Sequence, residues 1–116
     1  MRFFLGLVCI IIILVIACRK NGVNNLNPGE VDCGSITTTF STTVKPLMTS
    51  SCAKSGCHAA GSTNGPGELT TYSQIFNSRA AIRNAVANGT MPRDTTFTAM
   101  QKAIITCWID AGSQNN

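Results

Sequence analysis

The sequence has few charged residues and a single histidine. Only 12% of its 116 residues are charged, and the net charge of +4 at pH 7 is not gathered into a basic stripe. The composition therefore does not indicate nucleic-acid binding. One histidine among widely spaced cysteines also does not match the usual ligand spacings of zinc sites, which argues against a zinc-binding protein.

The sequence also lacks the alternation of apolar and polar residues that predicts β-strands. Apolar residues recur instead at helical spacing in three segments, residues 42–50, 73–88 and 98–112. Thr98 and Gln101 have the spacing of a capping box, which favours a helix start at that point. At this length the chain is one domain at most. We therefore expect an all-α domain of about three helices joined by long loops.

The longest apolar run is too short for a typical membrane span. Residues 3–17 are apolar or small and follow one positive charge, Arg2. A span needs about 20 residues, whereas this run suits the apolar region of a secretory signal. Residues 15–18, Val-Ile-Ala-Cys, resemble a bacterial lipobox, in which the cysteine is lipidated and becomes the mature N-terminus. We expect residues 1–17 to be a lipoprotein signal peptide and Cys18 to be the lipidation site. An uncleaved N-terminal anchor is the alternative.

Residues 18–35 read as a flexible tether, and residues 36–116 as the folded domain. The tether is rich in Asn, Gly and Pro, which favour turns and coil over regular structure. An acylated Cys18 would anchor the chain stably to a membrane. Export would place the mature chain in an oxidising compartment, facing the periplasm or the cell surface, where disulfides and thioethers persist.

One stretch, residues 52–58, organises the rest of the interpretation. Its sequence is Cys-Ala-Lys-Ser-Gly-Cys-His, and its last residue, His58, is the only histidine of the chain. Two thiols followed at once by an imidazole are what c-type haem attachment needs, because the thiols form thioethers and the imidazole binds the iron. The common form has two residues between the cysteines, and this one has four.

The motifs that follow in the chain make this interpretation more specific. The attachment motif precedes Leu-x-x-Tyr at residues 69–72, Met91-Pro92, and Trp-Ile-Asp-Ala-Gly at residues 108–112. This order resembles a class I cytochrome c domain, and it is most similar to the small haem domains of exported bacterial lipoproteins. The resemblance covers about residues 36–112. It implies a small cytochrome c-like fold wrapped around one covalent haem c.

The resemblance also implies a role for individual residues. Cys52 and Cys57 would form the thioethers, His58 would be the proximal iron ligand, and Met91 the distal ligand. The longer spacer departs from the common pattern, and Gly56 is where we expect the extra residues to loop out. An iron with His and Met both bound has no open position for a substrate. The implied role is that of an electron carrier rather than an enzyme, with redox proteins as partners.

Four further cysteines remain to be assigned once Cys52 and Cys57 are given to the haem motif. Cys9 leaves with the signal peptide, and Cys18 is lipidated. Cys33 and Cys107 then remain, and we expect them to form a disulfide. Two alternatives stay open. Disulfides that include Cys52 and Cys57 would make this a structural or binding lipoprotein without haem, and an unbound Met91 would suit a peroxidase or gas sensor.

Several other residues are assigned by their pattern alone. Met48, Met100 and Trp108 are expected to be core residues. Three arginines are candidates to pair with a haem propionate, namely Arg79, Arg83 and Arg93.

Overall fold

The computed structural model describes residues 30–116, and every regular element in that range is helical. The expectation of an all-α domain is therefore confirmed for this part of the chain. The expected signal peptide, the lipidation site Cys18 and most of the tether lie outside the described residues. Within residues 30–116, no helix is both long enough and apolar enough to cross a membrane.

Four α-helices and two short helical turns make up the fold. A 3-10 turn at Cys33–Ser35 and a π-helical turn at Phe40–Val44 come first. The α-helices, which we number in chain order, are α1 (Lys45–Ser51), α2 (Tyr72–Asn77), α3 (Arg79–Ala87) and α4 (Ala99–Asp110). Long loops at residues 52–71 and 88–98 separate α1 from α2 and α3 from α4.

The first predicted helix, residues 42–50, is longer than expected because it begins with the π-helical turn. Thr39 caps this turn by accepting a hydrogen bond from the Thr42 amide. Pro46 then stands at the start of α1, where its missing N–H removes little hydrogen bonding. The buried face is the expected one, since Phe40, Val44 and Met48 are all at most 5% exposed.

The second predicted helix, residues 73–88, is two helices in the structure. Ser78 leaves the helical conformation (φ −96°, ψ 3°) and separates α2 from α3. A capping box of Thr71 and Gln74 starts α2 and was not anticipated from the sequence. The expected stop at Gly89 is present, since this glycine has a φ of +77°, which ends helices without steric cost.

The last helix begins with the predicted capping box of Thr98 and Gln101. Cys107 and Trp108 are buried as expected, but Met100 is 47% exposed. The expectation that Met100 is a core residue is therefore wrong. The first buried residue of α4 is Ala103. The apolar periodicity therefore includes the first turn of the helix, which does not pack against the core.

An aromatic cluster fills the side of the core next to α4. The ring of Phe40 lies 5.0 Å from that of Tyr72 and 5.6 Å from that of Trp108, measured between centroids. The indole N–H of Trp108 donates to the carbonyl of Gln114 at 2.9 Å, and the Tyr72 hydroxyl donates to that of Ser113 at 2.8 Å. The polar C-terminal residues are thus docked on the core, because they satisfy the polar ends of buried aromatic side chains.

A disulfide joins the start of the described chain to α4. Cys33 and Cys107 are bonded, with their Cα atoms 5.4 Å apart, and they are the two cysteines expected to pair. The bond fixes the 3-10 turn at Cys33–Ser35 beside the last helix. The final residues of the expected tether are therefore attached to the folded domain.

Candidate functional site

A cavity of about 630 Å³ opens between the loop after α1, one face of α3 and the loop before α4. Sites for small molecules and cofactors are usually concave and enclose about 300–1,000 Å³. The four residues expected to hold a haem all line this one cavity, namely Cys52, Cys57, His58 and Met91. Three of them are close in sequence, but Met91 reaches the cavity from a separate loop.

The imidazole of His58 is buried and fixed by one hydrogen bond. His58 is 7% exposed, and its Nδ1 lies 2.8 Å from the carbonyl oxygen of Gly67. Because a carbonyl oxygen only accepts, Nδ1 is the protonated nitrogen and donates this bond. Nε2 is then the ring nitrogen that can bind a metal. A metal-binding histidine is commonly oriented in this way by a backbone carbonyl.

The segment from Cys52 to His58 forms a compact loop. The backbone N–H of His58 donates to the carbonyl of Cys52 at 3.0 Å, and that of Cys57 donates to the carbonyl of Lys54 at 2.9 Å. Gly56 has a φ of +78°, a conformation that side-chain-bearing residues rarely adopt. The four-residue spacer is therefore accommodated by a turn at Gly56, where the sequence predicts it.

Two residues of the following loop hold this segment from outside. The side-chain amide of Asn64 donates to the carbonyls of Gly56 and Cys57, each at 3.0 Å. The hydroxyl of Ser62 donates to the same Cys57 carbonyl at 2.5 Å. The sequence predicts only a loop at residues 59–70. These supports were missed because side-chain bonds to the backbone of another segment leave no periodic pattern.

Both cysteines of the motif are free thiols. A disulfide between Cys52 and Cys57, one of the alternatives from the sequence, is not formed in the structure. Burial, together with the neighbouring Cys57, raises the pKa of the Cys52 thiol to about 11, because both disfavour the thiolate. Cys52 is therefore protonated at neutral pH. Because neither sulfur is in a disulfide, both cysteines are free to form thioethers.

Helix α3 contributes an apolar wall to the cavity. Ile82 and Val86 are buried one turn apart, and Ala81 and Ala85 precede each of them by one position. Residues four apart lie on the same side of a helix, so these residues form two parallel rows. The alanine row is short enough to leave space in front of α3. A flat apolar group could lie against this surface.

The loop that bears Met91 is tied to the end of α3. The backbone N–H of Met91 donates to the carbonyl of Ala85 at 3.2 Å, and the Thr90 hydroxyl donates to the Asn88 side chain at 2.8 Å. Met91 is half-buried and lines the cavity. A salt bridge from Lys54 to Asp94, 2.8 Å long, joins this loop to residues 52–58, which we call the attachment loop.

The other methionines of the described chain differ in their relation to the cavity. Met48 is 1% exposed and lines the cavity from α1, as well as belonging to the core. Met100 is exposed and does not border the cavity. Trp108 packs in the aromatic cluster and is also not part of the cavity wall.

This set of side chains fits a covalent haem chemically. Two free thiols, a histidine with an available Nε2 and a methionine thioether meet at one largely apolar cavity. Thiol, imidazole and thioether are the groups by which proteins hold haem c. In residues 30–116, no three His, Cys, Asp or Glu side chains come together as a metal site, which a tetrahedral zinc would require.

Comparison of the chain with protein-family models, with curated proteins and with solved structures found no match in any of the three.

Proposed function

We propose that this protein is a lipid-anchored c-type cytochrome domain that transfers electrons. The observation that supports the proposal best is the meeting of Cys52, Cys57, His58 and Met91 at one cavity. The motif at residues 52–58 suggests attachment by itself. A methionine from a distant loop at the same cavity is what a second axial ligand requires.

Each of these side chains has a defined task in the proposal. The thiols of Cys52 and Cys57 would hold the haem covalently through its vinyl groups, and Nε2 of His58 and the Met91 thioether would hold the iron. A His/Met pair favours a higher reduction potential than two histidines would. The haem supplies one-electron chemistry when bound. The hydrogen bond from His58 Nδ1 to the Gly67 carbonyl holds the ring in place and leaves Nε2 as the nitrogen for the iron.

The proposed role is electron transfer rather than catalysis. If His58 and Met91 both hold the iron, the protein would leave no open coordination position for a substrate. Electrons would pass to and from redox proteins through an exposed haem edge near the Cys57 loop.

The proposal extends to the fold and to the cellular location. The proposed fold is a small cytochrome c-like one, and the all-helical architecture of residues 30–116 supports it at the level of fold class. Cys18 would be acylated after cleavage of residues 1–17, and the domain would face the periplasm or the cell surface. A chain of this kind would remain attached to the membrane while it exchanges electrons.

Expression of the full chain in a bacterial strain that matures c-type cytochromes tests the proposal. The intact mass should show one covalent haem and the lipid on Cys18, and the purified protein should have a Soret band. The double variant Cys52→Ser with Cys57→Ser should lose all acid-resistant haem. The matched control, Cys33→Ser with Cys107→Ser, also removes two cysteines but should keep its haem. A wild-type protein without haem would reject the proposal and favour a disulfide-stapled lipoprotein.

A further inference from the structure

Two of the three arginines that could pair with a haem propionate are engaged elsewhere. The guanidinium of Arg79 lies 4.0 Å above the centre of the Phe76 ring and donates to the Phe76 carbonyl at 2.8 Å. Arg83 forms a two-pronged pair with Asp110, at 2.6 and 2.8 Å. Neither arginine lines the cavity.

Arg93 differs from both in position and in contacts. It is exposed and lines the cavity, two residues after Met91. The two salt bridges of residues 30–116 are Lys54–Asp94 and Arg83–Asp110, so Arg93 belongs to neither of them. A guanidinium at the edge of an apolar cavity, without an anionic partner from residues 30–116, can bind an anion that enters with a ligand.

Arg93 lies where the largely apolar cavity meets a more polar surface. A second, more open depression of about 430 Å³ shares Pro92, Arg93 and Asp94 with the cavity. Its other lining residues are Gly89, Thr90, Thr95 and Thr96. Haem has the same division, since its ring is apolar and its two propionates are charged. A carboxylate here would have Arg93 and hydroxyl donors within one depression.

The acidic neighbour of Arg93 would otherwise oppose a bound carboxylate. Asp94 is adjacent in sequence, but Lys54 lies 2.8 Å from its Oδ2. This pairing lowers the pKa of Asp94, which therefore stays ionised, and it offsets the negative charge at the edge of the cavity. Lys54 does not line the cavity and is itself paired with Asp94. Arg93 lines the cavity and belongs to neither salt bridge of residues 30–116.

From these contacts we infer that Arg93 binds a haem propionate and offsets its negative charge at the edge of the cavity. The inference rests on the proposed function. Arg93 would act through its charge and its hydrogen bonds to the propionate. An arginine is suited to this because its planar guanidinium can form two parallel hydrogen bonds to one carboxylate.

Reduction potentials of the mature haem protein test this role. Arg93→Gln removes the positive charge, which leaves the propionate charge uncompensated and favours ferric over ferrous iron. We expect the ferric-to-ferrous ratio at a given applied potential to rise roughly fivefold, as for the loss of one partly solvated charge interaction. Arg93→Lys should keep most of the wild-type potential. Arg79→Gln, the same change at an arginine outside the cavity, should stay close to wild type.

A vibrational measurement separates propionate binding from a general charge effect. The propionate bending bands in the resonance Raman spectrum should move in Arg93→Gln and not in Arg79→Gln. The methionine–iron charge-transfer band should persist in both, which shows that Met91 ligation is intact. An unchanged potential and unchanged propionate bands in Arg93→Gln, in a protein with full haem content, would overturn this inference alone. Absence of haem from the wild-type protein would overturn it together with the proposed function.

Discussion

Nδ1 of His58 donates a hydrogen bond to the backbone carbonyl of Gly67 at 2.8 Å. The orientation of the only histidine thus depends on a loop that begins directly after it. Glu68 holds this loop, because its carboxylate accepts from the Gly61 amide at 2.7 Å and from the Gln74 side chain at 2.9 Å. The position of the proposed proximal ligand is therefore linked to the start of α2.

Replacement of Glu68 by Ala should weaken this link. The variant loses two charge-assisted hydrogen bonds that are partly exposed, so we expect the free energy of unfolding to fall by about 1–2 kcal/mol. The NMR signal of the His58 Nδ1–H proton should broaden, because the loop that bears the acceptor carbonyl becomes less ordered. Thr63→Ala, an exposed change in the same loop, serves as the control. Equal stability of the two variants would contradict the supporting role of Glu68.

Removal of the Cys33–Cys107 disulfide should destabilise the domain without affecting haem attachment. The bridge closes a loop with a sequence separation of 74 residues. By loop-closure entropy such a bridge stabilises the folded state by about 4 kcal/mol. Chemical denaturation of the Cys33→Ser, Cys107→Ser variant measures this loss. Peptide mapping of the wild-type protein under non-reducing conditions should recover the two cysteines in one linked fragment, and recovery of two free thiols would contradict the prediction.

The Arg83–Asp110 pair should stabilise the contact between α3 and α4 in a pH-dependent way. The hydrogen bond from Arg83 lowers the pKa of Asp110 below its usual 3.8. A carboxyl group whose pKa is lower in the folded state stabilises that state above its unfolded pKa, and this stabilisation is lost as the pH falls through the folded value. The side chains are 42% and 46% exposed, so the contribution is small, about 0.2–1 kcal/mol.

Comparison of Asp110→Asn with the wild type at two pH values checks this sign. We expect the variant to be less stable than the wild type by about 0.5 kcal/mol at neutral pH. At a pH low enough to protonate the Asp110 carboxyl group, the two proteins should be equally stable. Glu30→Gln removes an exposed carboxylate outside the two salt bridges and should show no such difference. A destabilisation of Asp110→Asn that persists in acid would point to packing rather than to the ion pair.

The parts of the site that could be predicted from sequence are those with a local chemical pattern. The spacing of Cys52, Cys57 and His58 and the turn at Gly56 depend on neighbouring residues, and each was anticipated. The capping box at Thr98 is local in the same sense and is confirmed. Met91 was singled out because it stands next to a proline outside the helical periodicity.

The features that could not be predicted depend on contacts between distant segments. The supports from Asn64 and Ser62 and the pairing of Lys54 with Asp94 follow from how the loops meet. Helical periodicity suggested that Met100 is buried, but periodicity alone does not show where a packed face ends. The three arginines were equivalent in sequence and became distinguishable only through their partners.

The assignment of Met91 as the distal ligand can be tested against the other methionines of the domain. A second axial ligand must reach the cavity, and Met100 does not border it. Met48 does line the cavity, but it is 1% exposed on α1, which leads directly into the attachment loop. Both Met48 and Cys52 belong to the hydrophobic core. Met91 comes from the loop before α4 and is less buried, so packing constrains it less.

Replacement of Met91 by Ala should therefore change the iron, whereas replacement of Met48 by Leu should mainly change packing. The Met91 variant loses a thioether ligand, so we expect a lower reduction potential and either high-spin iron or uptake of an added ligand such as imidazole. Met48→Leu conserves volume and apolar character and should cost less than about 1.5 kcal/mol of stability. Its methionine–iron charge-transfer band should remain. Met100→Leu, at an exposed site, should change neither property. If Met91→Ala keeps a low-spin, methionine-ligated spectrum and Met48→Leu loses it, the distal ligand is Met48, because it is the other methionine of residues 30–116 that borders the cavity.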